Sequence, residues 1–371
     1  MRDLFIGLMS GTSLDGVDAV LARFDPQGGI AVQGHVHRPF PDALRADLLA
    51  LNRPGADELH RAALASNGVA EAYAQAVAAL LAATGATADQ IAAVGAHGQT
   101  VRHRPGEFDG TGYTVQLLNG ALLAERCGID VVADLRSRDV AAGGQGAPLV
   151  PAFHAALFGQ PGMAQAVLNW GGIGNLTLLG ADGAVSGFDC GPGNVLLDLW
   201  CERHRRTPFD AGGAWAAQGR VDAALLATLL DEPFLHRAPP KSTGRDLFHA
   251  EWLDARLAAF DALTPVDVQA TLAEFTVRAA TDALLRHLPS PTRLLVCGGG
   301  ALNDHLMARL AAQLPGTAVQ STASAGLPPL QVEAAAFAWL AWAFTQRRPG
   351  NRPAVTGAAG PRVLGCLHPA R

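Results

Sequence analysis

Two glycine-rich turns carry the strongest chemical signal in this sequence of 371 residues. The first turn, Ser10–Asp18, combines glycine with hydroxyl and carboxylate side chains, and the second, Asn169–Asn175, combines glycine with asparagine. Each turn lies between two short apolar runs, a pattern that predicts a β-hairpin whose tip exposes backbone N–H groups. Such groups bind anions, so phosphate is the expected ligand. Two copies roughly 160 residues apart favour two similar domains that face one nucleotide.

Neither turn follows the common phosphate-loop motifs. A Walker A loop has a lysine after its last glycine and then a helix, whereas the chain after Gly16 returns directly to a strand-like run. The dinucleotide-binding pattern also fails at residues 172–177, because no helix follows there. For either turn alone, a tight hairpin that uses glycine for positive φ is an equally good interpretation. The pair together favours phosphate binding.

Composition and charge narrow the class of protein. Hydrophobic residues make up 49% and charged residues 16%, which allows a large core, and the length is natural for two domains. A net charge of −5 without a basic run disfavours nucleic acid and anionic membranes as partners. Five cysteines without C-x-x-C spacing indicate reduced thiols rather than a zinc site or disulfides. Because we find neither a signal peptide nor an apolar stretch of about 18 residues, we expect a soluble cytoplasmic protein.

The order of predicted elements favours an α/β fold. The first hairpin is followed by a polar connection, a helix at 60–83, a strand at 91–96 and a loop at 102–112. The second half again begins with a hairpin and continues with helices and a further strand. Strands that alternate with helices predict mixed, mostly parallel sheets covered by helices.

A cluster of glycines and a proline, Gly143–Pro148, marks the expected domain boundary. We therefore predict one domain at residues 1–140, which the tail 351–371 joins, and a second domain at residues 141–350.

Asp189 is the acidic residue best placed for chemistry. It ends a predicted strand and precedes the turn Gly191–Gly193 into a helix. Ligands of open α/β sheets bind beyond the carboxyl ends of the strands, so this carboxylate is expected to face a ligand. A helix N-cap is the common alternative for an aspartate in such a position. The cationic loop Lys241–Arg245 is either a further binding element or a solvated connection.

Other polar residues follow strands in the first half of the chain. His97, Gln99, Asp134 and Arg136 all lie at predicted strand ends, where each alone could satisfy the backbone of a turn. Their common position at one edge favours a polar substrate. The run Gly298–Gly300, between a strand and a helix, permits close approach of the backbone to a flat or anionic group.

Several longer stretches are similar, in order, to the anhydro-N-acetylmuramic acid kinases. The first hairpin, Gly7–Asp18, resembles the phosphate loop of that family. The other matching stretches are 97–100, 132–149, 169–175, 189–194, 241–245, 297–300 and 333–338. The resemblance runs from residue 7 to about residue 357. Its departures are small, since Cys190 stands where threonine is usual and Leu135 where phenylalanine is common.

The resemblance implies a fold and a reaction. The family belongs to the superfamily of actin, hexokinase and heat-shock chaperone ATPases, with two duplicated domains, helices on both faces of each sheet, and ATP and Mg²⁺ in the cleft between the domains. Its members use ATP and water to convert anhydro-N-acetylmuramic acid into N-acetylmuramic acid 6-phosphate in cytosolic recycling of peptidoglycan. By position, Asp189 matches the family's carboxylate, which activates water to attack the anomeric carbon while the bridge oxygen takes the γ-phosphoryl group.

The resemblance, with the turns described above, yields a set of expected binding residues. For ATP these are Gly11, Thr12, Ser13, Leu14, Asp15, Gly16, Val17, Asp18, Gly172, Asn175, Gly298, Gly299 and Gly300. For the sugar they are His97, Gln99, Arg136 and Glu333. Asp15 or Asp18 could hold a magnesium-bound water, and the sequence does not decide between them. The family also suggests a homodimer.

Two other functions stay open on the sequence. A plain hexose kinase of the same superfamily would use Asp189 to deprotonate a sugar hydroxyl instead of water. The non-enzymatic alternative is a filament-forming or sugar-sensing ATPase-like protein. A DNA-binding repressor is not expected, because the first predicted strand begins at Leu4 and leaves no room for a preceding helix-turn-helix.

Overall fold

The computed structural model describes residues 3–11, 13–25, 29–244 and 247–370. Its strands are β1 (Leu4–Met9), β2 (Gly16–Phe24), β3 (Ile30–Pro39), β4 (Ile91–Ala96), β5 (Gln99–Pro105), β6 (Gly112–Leu117), β7 (Val131–Ala133), β8 (Gln165–Trp170), β9 (Ile173–Leu179), β10 (Val185–Pro192), β11 (Arg293–Cys297), β12 (Ala318–Ser321) and β13 (Cys366–His368). Its α-helices are α1 (Asp42–Ala50), α2 (Glu58–Thr84), α3 (Gly120–Cys127), α4 (Ser137–Val140), α5 (Val150–Phe158), α6 (Val195–Arg205), α7 (Ala223–Leu230), α8 (Pro233–His236), α9 (Ala250–Leu257), α10 (Pro265–His287), α11 (Asp304–Gln313), α12 (Val332–Thr345) and α13 (Pro353–Thr356).

The chain divides into two compact units. The first unit comprises Met1–Leu157 together with Gln331–Arg371, and the second comprises Phe158–Leu330. These limits differ from the sequence-based domains 1–140 and 141–350, chiefly because helix α12 belongs to the first unit.

The first unit contains a six-stranded sheet in the order β13-β7-β4-β1-β2-β3. Strands β7, β4 and β1 are parallel, whereas β13, β2 and β3 pair antiparallel to their neighbours. Successive residues of β1 face opposite sides of this sheet. Ile6 and Leu8 join a core that includes Val69 and Tyr73 of α2, so one face of the sheet is covered by that helix.

Helix α12 covers the opposite face of this sheet at very short range. A Cβ atom on Gly7 of β1 would overlap the carbonyl oxygen of Ala334, and one on Gly95 of β4 would overlap that of Phe337. Glycine at both positions therefore lets the helix backbone lie directly on the sheet. This close packing joins residues late in the sequence to the first unit.

The C-terminal segment also completes the first unit. Strand β13 pairs with β7 at the edge of the sheet. The fully buried carboxylate of Asp139 accepts hydrogen bonds from Asn351 Nδ2 at 2.6 Å, Thr356 Oγ1 at 2.8 Å and the Gly146 N–H at 2.8 Å. A buried carboxylate is stable only when such donors replace its water.

The second unit contains a five-stranded sheet in the order β10-β9-β8-β11-β12. Here β8, β11 and β12 are parallel, and β9 and β10 extend the sheet antiparallel. The face that carries Leu168, Trp170 and Val296 packs on α10 through residues such as Phe275. The expectation of an α/β fold with mixed sheets is confirmed, each sheet having three parallel strands next to a hairpin.

Two local expectations were wrong. The polar connection after the first hairpin is a strand, β3, which pairs with β2 along its whole length. The expected loop 102–112 begins within β5, because Val101 is buried and His103 pairs with Thr114 across the β5–β6 ladder. In both cases the strand forms by pairing with a neighbour that composition does not reveal.

Candidate active site

The tip of the first hairpin is a compact turn between β1 and β2. The Leu14 N–H donates to the carbonyl oxygen of Gly11 at 3.2 Å, and Leu14 itself has φ of +57°. The Ser13 hydroxyl donates to Asp15 Oδ1 at 2.8 Å, and both side chains are exposed. Thr12 lies outside the described residues. The turn thus presents backbone and two polar side chains to solvent.

The two glycines of this turn have different reasons to lack a side chain. A Cβ on Gly11 would meet only Ser13 Oγ at 3.6 Å, which is ordinary contact. A Cβ on Gly16 would overlap the Arg38 carbonyl oxygen and lie 2.7 Å from Pro39 Cα of β3. The fold therefore requires glycine at position 16, whereas at position 11 it leaves space in front of the turn.

Residues that follow β4 form hydrogen bonds with the start of this turn. Ser10 Oγ lies 2.8 Å from the hydroxyl oxygen of Tyr73 and donates to the Gly98 carbonyl at 3.2 Å. Gln99 Nε2 donates to the carbonyl oxygen of Gly11 at 3.1 Å. Among the described residues, the buried Gln99 Oε1 has no hydrogen-bond partner. An acceptor of this kind is available to a ligand hydroxyl.

His97 and Arg136 form a joint polar group. Arg136 donates through Nε at 3.2 Å and Nη2 at 2.9 Å to His97 Nε2, and through Nη1 to the carbonyl oxygen of Gly146 at 2.8 Å. Burial first, and the guanidinium second, lower the pKa of His97 to about 3. The imidazole is therefore neutral, with Nδ1–H facing the Ser10 carbonyl at 3.3 Å. Burial also lowers the pKa of Arg136 to about 10, which leaves it charged near neutral pH.

Glu333 lies within electrostatic range of Arg136 and of the carboxylates of Asp18 and Asp15. Glu333 opens α12 and is exposed to solvent. The surrounding protein raises the pKa of Glu333, the Asp18 and Asp15 carboxylates add to the increase, and Arg136 opposes it. Their mutual repulsion makes this a site where positive charge is favourable.

Asp18 has partners that the sequence did not suggest. His35 Nε2 lies 2.9 Å and His37 Nδ1 3.2 Å from its Oδ1 atom. Both histidines belong to β3, where residues two apart share a face. Among residues 3–11, 13–25, 29–244 and 247–370, no group of three His, Cys, Asp or Glu side chains is arranged to hold a metal ion directly.

The tip of the second hairpin consists of two glycines between β8 and β9. The carbonyl of Gly171 accepts from the Asn194 N–H at 2.8 Å, and that of Gly172 accepts from the N–H groups of Gly193 at 2.9 Å and Val195 at 3.1 Å. A Cβ on Gly172 would have open space, with its nearest neighbour Val195 Cβ at 4.0 Å. The carbonyl groups therefore fix the turn, and its solvent-exposed side, at Gly172, has room for an approaching ligand.

Asp189 lies within β10, opposite Asn175 of β9. The expectation that it ends a strand was wrong, because β10 continues to Pro192 by pairing Gly191 with Gly174 and Pro192 with Ile173. The Thr243 N–H donates to Asp189 Oδ2 at 2.9 Å. Burial raises the pKa of the Asp189 carboxyl to about 6, although the Thr243 N–H and Lys241 act in the opposite direction. A carboxylate with a pKa near the working pH is suited to general-base catalysis.

The three glycines after β11 differ in whether the fold has room for a side chain at their positions. Gly298 has φ of +77°, and a Cβ there would lie 2.6 Å from Asn169 Oδ1. A Cβ on Gly300 would lie 2.6 Å from Trp170 Cβ. Gly299, by contrast, is exposed and would meet only Asn194 Nδ2, at 3.5 Å.

A cavity of about 290 Å³ in the second unit adjoins Gly299. Its lining residues are Asn194, Leu197, Asp198, Phe209, Asp210, Gly212, Gly299, Leu302, Asn303 and Leu330. Phe209, Leu302 and Leu330 are each at least half exposed. Clustered exposed apolar side chains around a concave surface mark a ligand site. Sequence reasoning found only Gly299 of this cavity, because its walls come from separate helices and turns.

The structure brings together most of the predicted residues within their own unit. In the first unit, the turn 11–18 lies against Gln99, and Glu333 lies within electrostatic range of Asp18, Asp15 and Arg136. Leu14 and Val17 bury their side chains in the core, so only their backbone is available to a ligand. Asp134 stands apart. It is exposed, has φ of +51° and, within the described part of the chain, accepts a single long bond of 3.4 Å from the Ser137 N–H.

Comparison with known proteins identifies the family. The family model described as anhydro-N-acetylmuramic acid kinase matches residues 3–370. The chain belongs to the anhydro-N-acetylmuramic acid kinase family. A relative of that name from Variovorax paradoxus is 61% identical over 99% of both chains. Another from Cupriavidus metallidurans is 59% identical over 99% of this chain and 98% of the relative. The enzyme is thus an ATP-using sugar kinase, as the resemblance implied.

Solved structures give a more distant likeness. The activator of the 2-hydroxyisocaproyl-CoA dehydratase from Clostridium difficile, with bound ADPNP, has a TM-score of 0.46 and 9% identity, covering 93% of this chain and 96% of that one. None of the helices in the described part of the kinase is long and apolar enough to cross a membrane.

Proposed function

We propose that this kinase opens the 1,6-anhydro bridge of its sugar with water and phosphorylates the oxygen that is released. Asp189 takes a proton from water, whose oxygen attacks the anomeric carbon C1. The bond between C1 and the bridge oxygen breaks, and the electron pair stays on that oxygen, which becomes O6. O6 accepts the γ-phosphoryl group of ATP, ADP leaves, and the proton on Asp189 passes to solvent. The products are N-acetylmuramic acid 6-phosphate and ADP.

The environment of Asp189 is the observation that carries this proposal. The carboxyl group is half-buried with a pKa of about 6, so it is mostly ionised at neutral pH and yet basic enough to accept a proton. Lysine and backbone partners hold its segment in place.

We assign sugar binding to the polar group of the first unit. The neutral His97 and the charged Arg136 are already oriented by each other, and Gln99 Oε1 offers an unused acceptor. Glu333 adds a carboxylate that accepts hydroxyl donors. Preformed donors and acceptors of this kind suit a polyhydroxylated substrate with an amide.

We assign ATP binding to the two turns and to the cavity. In the first unit, the open side of Gly11 admits phosphate to the backbone N–H groups. In the second unit, Gly172 and Gly299 leave comparable space, and the exposed Phe209 and Leu330 provide apolar surface for a nucleobase. Asn175 is carried over from the resemblance as a further contact.

The carboxylates near the first turn fit Mg²⁺ bound through water. Mg²⁺ prefers carboxylate and water oxygens and keeps several of its waters, and the repulsion sensed by Glu333 favours a cation nearby. Asp15 and Asp18 would hold such an ion by its waters, and it would neutralise charge on the phosphates. We further propose a cytoplasmic location and a homodimer, both from the family resemblance.

The product distinguishes this reaction from that of a plain hexose kinase. Incubation of the anhydro sugar with ATP and Mg²⁺ should give a product heavier by one water and one phosphoryl group. In water labelled with oxygen-18, the label should enter the anomeric hydroxyl with every turnover, after correction for exchange of the free sugar. A product heavier by a phosphoryl group alone would refute hydrolytic opening and favour the plain kinase.

A further inference from the structure

The chain contains a single lysine, Lys241, among 28 Lys and Arg residues. All the other residues in that count are arginines. Lysine and arginine differ physically, because an ammonium group is compact with three rotatable donors, whereas a guanidinium is a planar fork. A lone lysine in an arginine-rich chain directs attention to what the ammonium group contacts.

The ammonium group of Lys241 binds the end of helix α8. Nζ donates to the carbonyl oxygens of Phe234 at 3.2 Å and Leu235 at 3.0 Å. It also lies 4.8 Å from the ring centre of Phe234 and 5.8 Å from that of Phe188, which is a cation–π arrangement. Two adjacent carbonyls and two rings surround a small cation. These contacts anchor the segment to the body of the second unit.

The same segment contacts Asp189 twice. The Asp189 N–H donates to the carbonyl oxygen of Lys241 at 3.2 Å, and the Thr243 N–H donates back to Asp189 Oδ2 at 2.9 Å. In the part of the chain that the structure describes, Thr243 is the only hydrogen-bond donor to this carboxylate. The orientation of the carboxyl group therefore depends on where the segment lies.

We propose that the segment Lys241–Thr243 is a strap that orients Asp189, and that Lys241 is the positioning residue that anchors it. This inference rests on the proposed role of Asp189 as the base. The anchor at α8 sets the position of the strap, and the Thr243 N–H then fixes one oxygen of the carboxylate. Lys241 itself does not touch the substrate. Its effect on the reaction passes through Asp189.

Charge supports the same assignment. The Lys241 cation lowers the pKa of Asp189 and so offsets part of the increase caused by burial. Burial in turn lowers the pKa of Lys241, while the Cys190 and Asp189 side chains raise it and Arg286 and Arg237 lower it. Loss of the lysine charge should therefore make Asp189 harder to ionise.

The other titratable or charged groups near the strap are Arg286, His287 and Cys190. Arg286 on α10 donates to the same Leu235 carbonyl at 3.1 Å. His287 lies beside Phe188, with ring centres 5.0 Å apart, and burial, then Arg286 and Lys241, lower its pKa. The buried Cys190 thiol, whose pKa burial raises to about 12, stays protonated near neutral pH.

The test compares Lys241→Met and Lys241→Arg with the wild type and with Arg237→Met. Lys241→Met keeps length but removes charge and donors, so kcat should fall ~10- to 100-fold with the KM for ATP changed less than about 2-fold. The acid limb of its kcat–pH profile should move upward by about half a unit or more. Lys241→Arg should restore the position of the acid limb. The exposed Arg237 contributes charge but no strap contact, and Arg237→Met should keep kcat within about 2-fold.

A matched pair at position 243 tests the strap without changing charge. Thr243→Pro removes the backbone N–H that binds Asp189 Oδ2, whereas Thr243→Ala keeps it. Thr243→Pro should lower kcat about as much as Lys241→Met, and Thr243→Ala should stay within about 2-fold of wild type. Equal activity of the two variants would refute the strap.

The single lysine also gives a readout independent of turnover. Labelling with [¹³Cε]lysine yields one lysine side-chain resonance in the full-length enzyme. Its titration should report a pKa below the ordinary value of about 10.4, and Asp189→Asn should lower it further. A resonance that titrates normally and does not respond to Asp189→Asn would overturn the proposal.

The kinetic variants distinguish failure of the strap from failure of the proposed base. If Asp189→Asn abolishes turnover while Lys241→Met does not, the strap is wrong and the assignment of Asp189 as the base is retained. If Asp189→Asn is active, the proposed base itself fails.

Discussion

The two glycine-rich hairpins occupy equivalent places in their sheets but differ at the tip. Residues 10–15 separate β1 from β2, whereas only Gly171 and Gly172 separate β8 from β9. The longer tip is closed by its own bond from Leu14 to Gly11, and the shorter tip is closed from outside by the N–H groups of residues 193–195.

This difference changes what each hairpin can offer a ligand. The first tip presents Ser13 and Asp15 together with backbone, and it lies next to a group of carboxylates. The second tip presents backbone alone, and Asp189 lies on the strand next to β9, opposite Asn175. Under the proposed function, the same hairpin topology would serve a cation in the first unit and a base in the second. The following predictions test that division, beginning with the largest effect.

Asp189→Asn should separate chemistry from binding most strongly. The change keeps shape but removes basicity, so kcat should fall by the ~10²–10⁴-fold typical of a lost general base while ATP binding survives. The wild-type kcat should fall as pH decreases through about 6, because protonation of Asp189 removes the base. Steady-state kinetics and ATP titration calorimetry measure both. Asp134→Asn, at an exposed carboxylate, is the control. If Asp189→Asn kept more than about a tenth of the activity, the assignment of Asp189 as the base would be wrong.

Gly16→Ala should lower the stability of the first hairpin rather than act directly on ligand binding. The added methyl group would overlap the Arg38 carbonyl of β3, and such overpacking costs about 1–3 kcal/mol of the free energy of unfolding. Urea denaturation measures it. Gly11→Ala is the matched control and should unfold like wild type. A Gly16→Ala variant as stable as wild type would contradict the steric role assigned to this glycine.

Gly11→Ala and Gly172→Ala should weaken nucleotide binding without loss of stability. Both positions have space in the free enzyme, so an added methyl group would obstruct only a ligand that approaches the backbone. We expect about a tenfold increase in the Kd for ATP at each position, or roughly 1.4 kcal/mol. A change at only one of the two positions would show that the hairpins are not used alike.

Ser13→Ala should have the smallest effect. The hydroxyl group donates to Asp15 on an exposed surface, where a hydrogen bond contributes about 0.5–1.5 kcal/mol at most. The Kd for ATP should rise less than about threefold, compared with the larger change in Gly11→Ala. An effect as large as that of Gly11→Ala would mean that side chains, not backbone, dominate at the first tip.

Asp189 was expected to end a strand, but β10 continues through it to Pro192. Local patterns in the sequence were sufficient to predict the hairpins and the mixed sheets. Each of these depends on residues close together in the chain, such as the apolar runs beside Gly171. The family resemblance supplied the reaction. Periodicity and turn chemistry therefore account for the elements that carry the candidate site.

The missing parts depend on contacts between distant residues. Helix α12 joins the first unit because Gly7 and Gly95 admit its backbone, and nothing in either short segment reveals the partner. The histidine partners of Asp18 come from β3, which was itself not predicted. The difference between Gly11 and Gly16 likewise requires the neighbouring strand to be seen.

The discontinuous first unit has a consequence for synthesis of the protein. Residues 158–330 form a contiguous unit that can fold as soon as it leaves the ribosome, whereas the first unit waits for residues 331–371. Until then the sheet face with Gly7 and Gly95 lacks α12, and Asp139 lacks Asn351 and Thr356. The nascent chain thus carries an uncovered apolar surface while more than half of its residues are being translated. The first unit begins to be synthesised before the second unit but can complete its fold only after it.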